Sequence, residues 1–173
     1  MSVDFDLFSP DPIPRTLLPK VKRVFELFPV QSTINNPDEL TLLVNSVKVT
    51  FLTYPFPVES AFVTMRGLDL LSIIEIAATK AYSIGRRGTY KDYVDLYYML
   101  KDRHASLTEI IAMSERKFGA EFNSRLFVEQ LLFMDDISDY SIEYLGKMPT
   151  PSDILQLLRN EIALLPIAPE QEK

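Results

Sequence analysis

The spacing of apolar residues changes once along the 173-residue chain, near Pro55 and Pro57. Before that point apolar side chains alternate with polar ones or form short β-rich runs. After it they recur every three to four residues. Period two belongs to a strand with one covered face, and period 3.6 to a helix. The chain is therefore expected to be α+β: a small mixed sheet within residues 1–60, a helical C-terminal bundle over 61–165, and a disordered polar tail over 166–173.

The first region opens with SVDFDLF. Val3, Phe5 and Leu7 alternate with Asp4 and Asp6, which predicts a strand carrying both carboxylates on one face. Pro10, Pro12 and Pro14 then interrupt any ladder. Leu17, Val21, Val24 and Phe28 fall at helical spacing, and Pro29 ends that helix. NNPDE reads as a turn. LTLLV and VKVTFLTY read as a hairpin around Asn45-Ser46. In the second region, Ile73, Ile76, Ala77, Ala81 and Ile84 form one helical stripe, closed by Arg86-Arg87-Gly88. Thr89 starts another helix, with Tyr93, Leu96, Tyr97 and Leu100 on one face. Ser106 with Glu109 reads as a capping box. A further helix is expected over 121–133. Ser152 is expected to cap the last one, and Asp135, Asp136 and Asp139 to form an acidic turn.

Composition narrows the chemistry. With no cysteine, disulfides and thiolate metal sites are excluded, and one histidine, His104, argues against a His-based zinc site or a catalytic triad. His104 itself suits a surface loop. The net charge of −6 shows no global basic field, although a local basic patch is compatible with it. No apolar run approaches the roughly 20 residues of a membrane helix. A soluble cytoplasmic protein with no membrane partner is the expectation.

Asp4 and Asp6, at i and i+2 on a strand, place their Cβ atoms roughly 6–7 Å apart. One divalent cation can bridge them, or two can sit about 3.5–4 Å apart between them. Hard oxygen donors favour Mg²⁺ or Mn²⁺. The plainer alternative is a strand with one wet face. Lys80 lies on an apolar stripe, so it either snorkels or is paired. Beside carboxylates, such a cation could hold a polyphosphate. Asp92 is spaced to be the N3 partner of Thr89, and Lys91 could pair with Asp95 one turn on. Arg86 and Arg87 could grip phosphate or an RNA backbone, or simply favour a helix C-terminus.

Taken together, SVDFDLFS, VKVTFLTYPFP and IAATKAYSIGRRGTYKDYVDLYYML resemble the AbiEii/AbiGii toxin-type nucleotidyltransferases. The most specific part is K-A-x-x-x-x-R-x-x-x-K-D-x-x-D-L. Lys80, Ala81, Arg86 (or Arg87), Lys91, Asp92, Asp95 and Leu96 fill it, with one residue of loop-length difference. The region from Val128 to Asp136 extends the resemblance, which covers roughly residues 2–140. It implies a polymerase-beta-like nucleotidyltransferase fold that binds NTP and Mg²⁺ and transfers a nucleoside monophosphate. It further implies a bacterial toxin of a toxin–antitoxin or phage-defence system, with an antitoxin protein as partner and tRNA, another RNA or a protein as acceptor. By the same resemblance Asp4 and Asp6 would be metal ligands. Lys80, with Arg86 and Arg87, would contact phosphate. Asp92 would be a base or orienting group, and Asp95 its helper.

Two departures from the family stand out. The family's Gly-Ser/Thr motif precedes the D-x-D strand, whereas Asp4 is the fourth residue here. An N-terminally truncated copy is the expectation, with an in-frame extension upstream. The third carboxylate of such folds sits on a neighbouring strand, where VKVTFLTY carries Thr50. Asp38, Glu39 and Glu59 are expected outside that strand. A degenerate, non-catalytic relative that binds a protein through an unpaired sheet edge is the alternative. A strand over 3–7 beside 47–53 separates both from a purely helical interaction domain.

Overall fold

A computed structural model of the chain describes residues 4–134, 137, 142 and 148–166, with Arg87 by its backbone alone. The acidic turn expected at Asp135, Asp136 and Asp139, and the tail beyond residue 166, lie outside the described residues. Two compact units divide the chain, Met1–Phe56 and Pro57–Lys173.

The first unit is a four-stranded mixed sheet with one helix. Its strands are β1 (Asp4–Ser9), β2 (Val30–Asn35), β3 (Glu39–Val44) and β4 (Val47–Thr53), in the order β1-β4-β3-β2. β1 pairs in parallel with β4, and the remaining pairs are antiparallel. The β3–β4 hairpin closes through Asn45 and Ser46, both at positive φ (48° and 68°). Two successive left-handed residues match the twist of a two-residue hairpin, and asparagine tolerates that region better than most residues. In NNPDE, Asn36 Oδ1 accepts the amides of Asp38 and Glu39 at 2.9 and 2.8 Å, an Asx turn.

Helix α1 (Leu17–Val24) lies on one face of this sheet. Val21 and the turn residue Phe25 reach the core made by Leu40, Leu42 and Val44 of β3. The expected apolar stripe through Val24 and Phe28 is not the buried one. The helix stops at Val24, which is 75% exposed, and Phe28 is 51% exposed. β2 gave no periodic signal because it is an edge strand, with every residue after Val30 exposed and a register shift between Ser32 and Ile34.

In the second unit, helices α2 (Ile73–Arg87), α3 (Tyr90–Lys101), α4 (Leu107–Phe118), α5 (Ser124–Leu131) and α6 (Pro151–Ala163) enclose one apolar core. Ala77, Ala78, Ala81 and Ile84 of α2 are 0–1% exposed. Small residues there let α3, α4 and α5 approach α2 closely. Gly88 allows the sharp passage into α3, because a Cβ there would stand 3.1 Å from both Ile84 Cα and a Tyr93 ring carbon. The capping boxes at Thr89–Asp92 and Ser106–Glu109 form as the spacing predicts. The last helix is capped by Thr150 rather than Ser152, with Asp153 completing the box. Pro151 explains the difference, since a proline at the first helical position makes its predecessor the cap. The expected 121–133 helix is shorter, because a 3₁₀ turn (Gly119–Glu121) precedes it and Asn123 caps it.

One element of this unit is not helical. β5 (Val63–Met65) and β6 (Leu68–Leu70) form a separate hairpin through Arg66 and Gly67, at φ 52° and 80°. Val63, Met65, Leu68 and Leu70 share its apolar face. Thr64 donates to Asp69 (2.8 Å) on the other.

Candidate functional site

Asp4 and Asp6 sit on the edge strand β1 and both are exposed. The parallel register sets Asp4 beside Lys48 and Asp6 beside Thr50, and registered neighbours project to the same face. Antiparallel pairing continues that row from Thr50 to Thr41. This face lies opposite the one covered by α1, whose contacts are to Leu40, Leu42, Val49 and Phe51. Thr50 is 3% exposed, and its Oγ1 has no hydrogen-bond partner among the described residues. A buried hydroxyl without a partner costs free energy unless something fills the gap. Thr50 therefore offers a hard oxygen next to Asp6, which suits Mg²⁺ or one of its waters.

Glu39 lies outside β4, as the sequence suggested, and is the first residue of the neighbouring strand β3. It shares the face of Thr41 and accepts that hydroxyl at 2.6 Å. Glu39 is registered with Leu52, two strands from β1. Among the described residues no three His, Cys, Asp or Glu side chains are grouped to hold a metal.

A second cluster lies in the other unit. Lys80 of α2 bonds Asp92 Oδ1 at 2.9 Å and Asp95 Oδ2 at 2.7 Å, both on α3. Lys80 is thus paired rather than snorkelled, and Asp95 turns to it rather than to Lys91. Burial pulls the Lys80 pKa down. The hydrogen bonds and charges of Asp95 and Asp92 outweigh burial and leave it above the usual lysine value.

The two carboxylates differ in what remains free. Asp92 Oδ2 already accepts the Thr89 amide (3.0 Å) and hydroxyl (2.9 Å), so both its oxygens are engaged. Its side chain is only 13% exposed. Asp95 uses one oxygen on Lys80, and its side chain is 47% exposed. Asp92 can orient the lysine and fix the start of α3. Asp95 is the carboxylate that a solvent-borne group can reach.

Arg86 does not join this cluster. Six residues along α2 from Lys80, it stands about 9 Å further along the axis and on another face. Its guanidinium stacks 4.2 Å over the Tyr82 ring and pairs with Glu121 at 3.2 Å. A cavity of about 330 Å³ beside it is lined by Gly85, Gly88, Tyr93 and Gln130 among others. The C-terminal, carbonyl end of α2 borders it, which disfavours phosphate. Arg87 is the last residue of α2, and His104 is exposed in the turn after α3.

Sequence reasoning missed the most buried charges. Lys117 of α4 and Glu75 of α2 form an ion pair in which both side chains are 0% exposed. Glu75 also accepts the amides of Glu59 (2.5 Å) and Ser60 (2.8 Å), and Lys117 donates to the Pro57 carbonyl (3.0 Å). A polar residue on each of two otherwise apolar helix faces was the available signal.

Comparison with known proteins adds one relative. The uncharacterized protein aq_aa25 of Aquifex aeolicus is 24% identical over 137 residues, 78% of this chain. The chain spans 66% of that protein's length, just under two thirds. No family model and no solved structure matches.

Proposed function

We propose that the chain is a Mg²⁺-dependent nucleotidyltransferase-like protein, the toxin component of a toxin–antitoxin or phage-defence system. It would work in the cytoplasm and transfer NMP from NTP to an RNA or protein acceptor. The observation that carries this reading is the carboxylate strand itself. β1 holds Asp4 and Asp6 on one face, in parallel register with β4, next to an orphaned Thr50 hydroxyl. The bound cation would supply charge neutralisation at the phosphates. Asp4 and Asp6 would hold it, with Thr50 as a neutral oxygen donor. Within the second unit, the family resemblance makes Lys80 the phosphate contact, which would release its carboxylates in part while Asp92 keeps it oriented. Asp95, with an oxygen accessible, would accept a proton from the acceptor.

The test is labelling of RNA and of candidate proteins with [α-³²P]NTP and Mg²⁺. Asp4→Ala and Asp6→Ala are each expected to lower labelling at least about 100-fold, as loss of a charge-stabilising group does. Equal labelling by wild type and both variants would overturn the assignment.

A second reading keeps the ancestry and drops the catalysis. β1 is an open sheet edge on which Phe5, Leu7 and Phe8 are 42–56% exposed, a template for an added strand of a partner protein. NTP titration separates the two: binding that is lost in Asp6→Ala favours the enzyme.

A further inference from the structure

The first unit carries a feature that its carboxylate face does not use. From Pro12 to Val30 the chain holds four cations, Arg15, Lys20, Lys22 and Arg23, against one acid, Glu26, although the whole chain has a net charge of −6. All four are exposed, and none is in an ion pair among the described residues. Lys20, Lys22 and Arg23 lie on α1 away from Val21, the helix's one buried residue. At the C-terminal end of that helix, Val24 and Leu27 are 75% and 88% exposed, and Phe28 is 51% exposed. Phe25 anchors this turn in the core, and its carbonyl accepts the Phe28 amide at 2.9 Å. The apolar tips are therefore held outward by the fold itself.

We propose that the outer face of α1 and the turn after it form a docking surface for an anionic lipid bilayer. The charge argument gives the sign of the partner. Unpaired cations gathered on one surface of an acidic protein attract a surface dense in negative charge and orient the molecule toward it. The apolar side chains give its kind. Aliphatic groups at 75% and 88% exposure are convex tips, which insert into the headgroup–acyl boundary, as amphipathic surface helices do. A nucleic-acid backbone offers Val24 and Leu27 nothing to pack on. The patch also lies behind the sheet, on the face opposite Asp4 and Asp6, so it is not a path by which an acceptor reaches those carboxylates. The lack of a spanning helix bears on crossing a bilayer and not on adhesion to its surface. One patch of this size binds weakly and reversibly.

Sedimentation of the full chain with phosphatidylglycerol vesicles, against phosphatidylcholine vesicles, tests this. Binding to the anionic vesicles alone is expected at low salt. It is expected to disappear near 1 M salt, where the screening length is about 3 Å. Lys20→Glu with Lys22→Glu is expected to weaken binding at least about tenfold, and Leu27→Asp at least about fivefold. Both variants change only exposed side chains, and a circular-dichroism melt confirms that each is folded. Arg23→Glu provides an independent charge change. Failure to bind anionic vesicles overturns the proposal, as does binding that Leu27→Asp leaves untouched. So does a fluorescent single-stranded RNA that binds through the same lysines while vesicles do not. A dimer seen in light scattering that Leu27→Asp dissociates assigns the surface to a second copy and also overturns it.

Discussion

Helix α2 carries two lysine–carboxylate arrangements five residues apart, and they are opposites. At Glu75 the partners are sealed: both side chains are fully buried, and further bonds reach the backbone at Pro57, Glu59 and Ser60. At Lys80 the partners are half open: a 26%-exposed lysine faces one engaged carboxylate and one solvent-accessible carboxylate. Burying an ion pair rarely adds net stability over an apolar pair, yet breaking one is costly. The sealed pair therefore acts as a strut that fixes the 57–60 segment to α2 and α4. The open cluster contributes little to stability, and its excess acceptor capacity is available to something else.

Lys117→Met should break the contrast most. It strands Glu75 in the core, and urea unfolding should register a loss of about 3–5 kcal/mol. A loss below about 1 kcal/mol would mean that the sealed pair is not sealed in solution. The two aspartates of the open cluster sharpen the comparison. Asp92→Asn removes the charge from the Thr89 cap and from the lysine, and should cost about 1–2 kcal/mol. Asp95→Asn should stay within about 0.5 kcal/mol in the same melts. If nucleotidyl transfer is the activity, Asp95→Asn should lower labelling far more than it lowers stability. Equal costs for the two aspartates would erase the distinction between an orienting and a reachable carboxylate.

The smallest effect concerns pH. A lysine whose folded pKa is raised contributes stability that is complete below its unfolded value of 10.5 and fades as pH rises through the folded one. Lys80→Met should therefore lower stability by a small, constant amount below pH 10.5, neutrality included, and flatten the weak alkaline decline above it. An alkaline decline that Lys80→Met leaves unchanged would mean that another group causes it.

Local signals in the sequence translated well into structure. Thr89–Asp92 and Ser106–Glu109 are three residues apart, and spacing alone sets their caps. The strand that begins at Asp4 and its pairing beside VKVTFLTY were also legible, because alternation survives even on an exposed edge. Partner choice across the chain was not. Glu75 and Lys117 are separated by 42 positions, and neither advertises the other. Lys80 was legible as either snorkelling or paired, and only the close approach of α2 to α3 selects pairing. The β5–β6 hairpin escaped notice because three-residue strands are too short to show a period. Val24 and Phe28 misled for a different reason. Their helical spacing was real, but helix α1 ends before the stripe can turn inward.

The parallel pairing of β1 with β4 also has a kinetic side. Its partners are separated by roughly forty residues of chain, whereas β3 and β4 meet across a two-residue turn. Loop closure makes such distant pairing slow, although β1 pairs with β4 along its whole length once formed. Asp4 and Asp6 thus ride on a strand whose pairing needs the longest loop closure in the sheet. Any ligand that bridges them to Thr50 would act as a late-stage clasp, slowing the opening of β1 without altering how the rest of the sheet assembles.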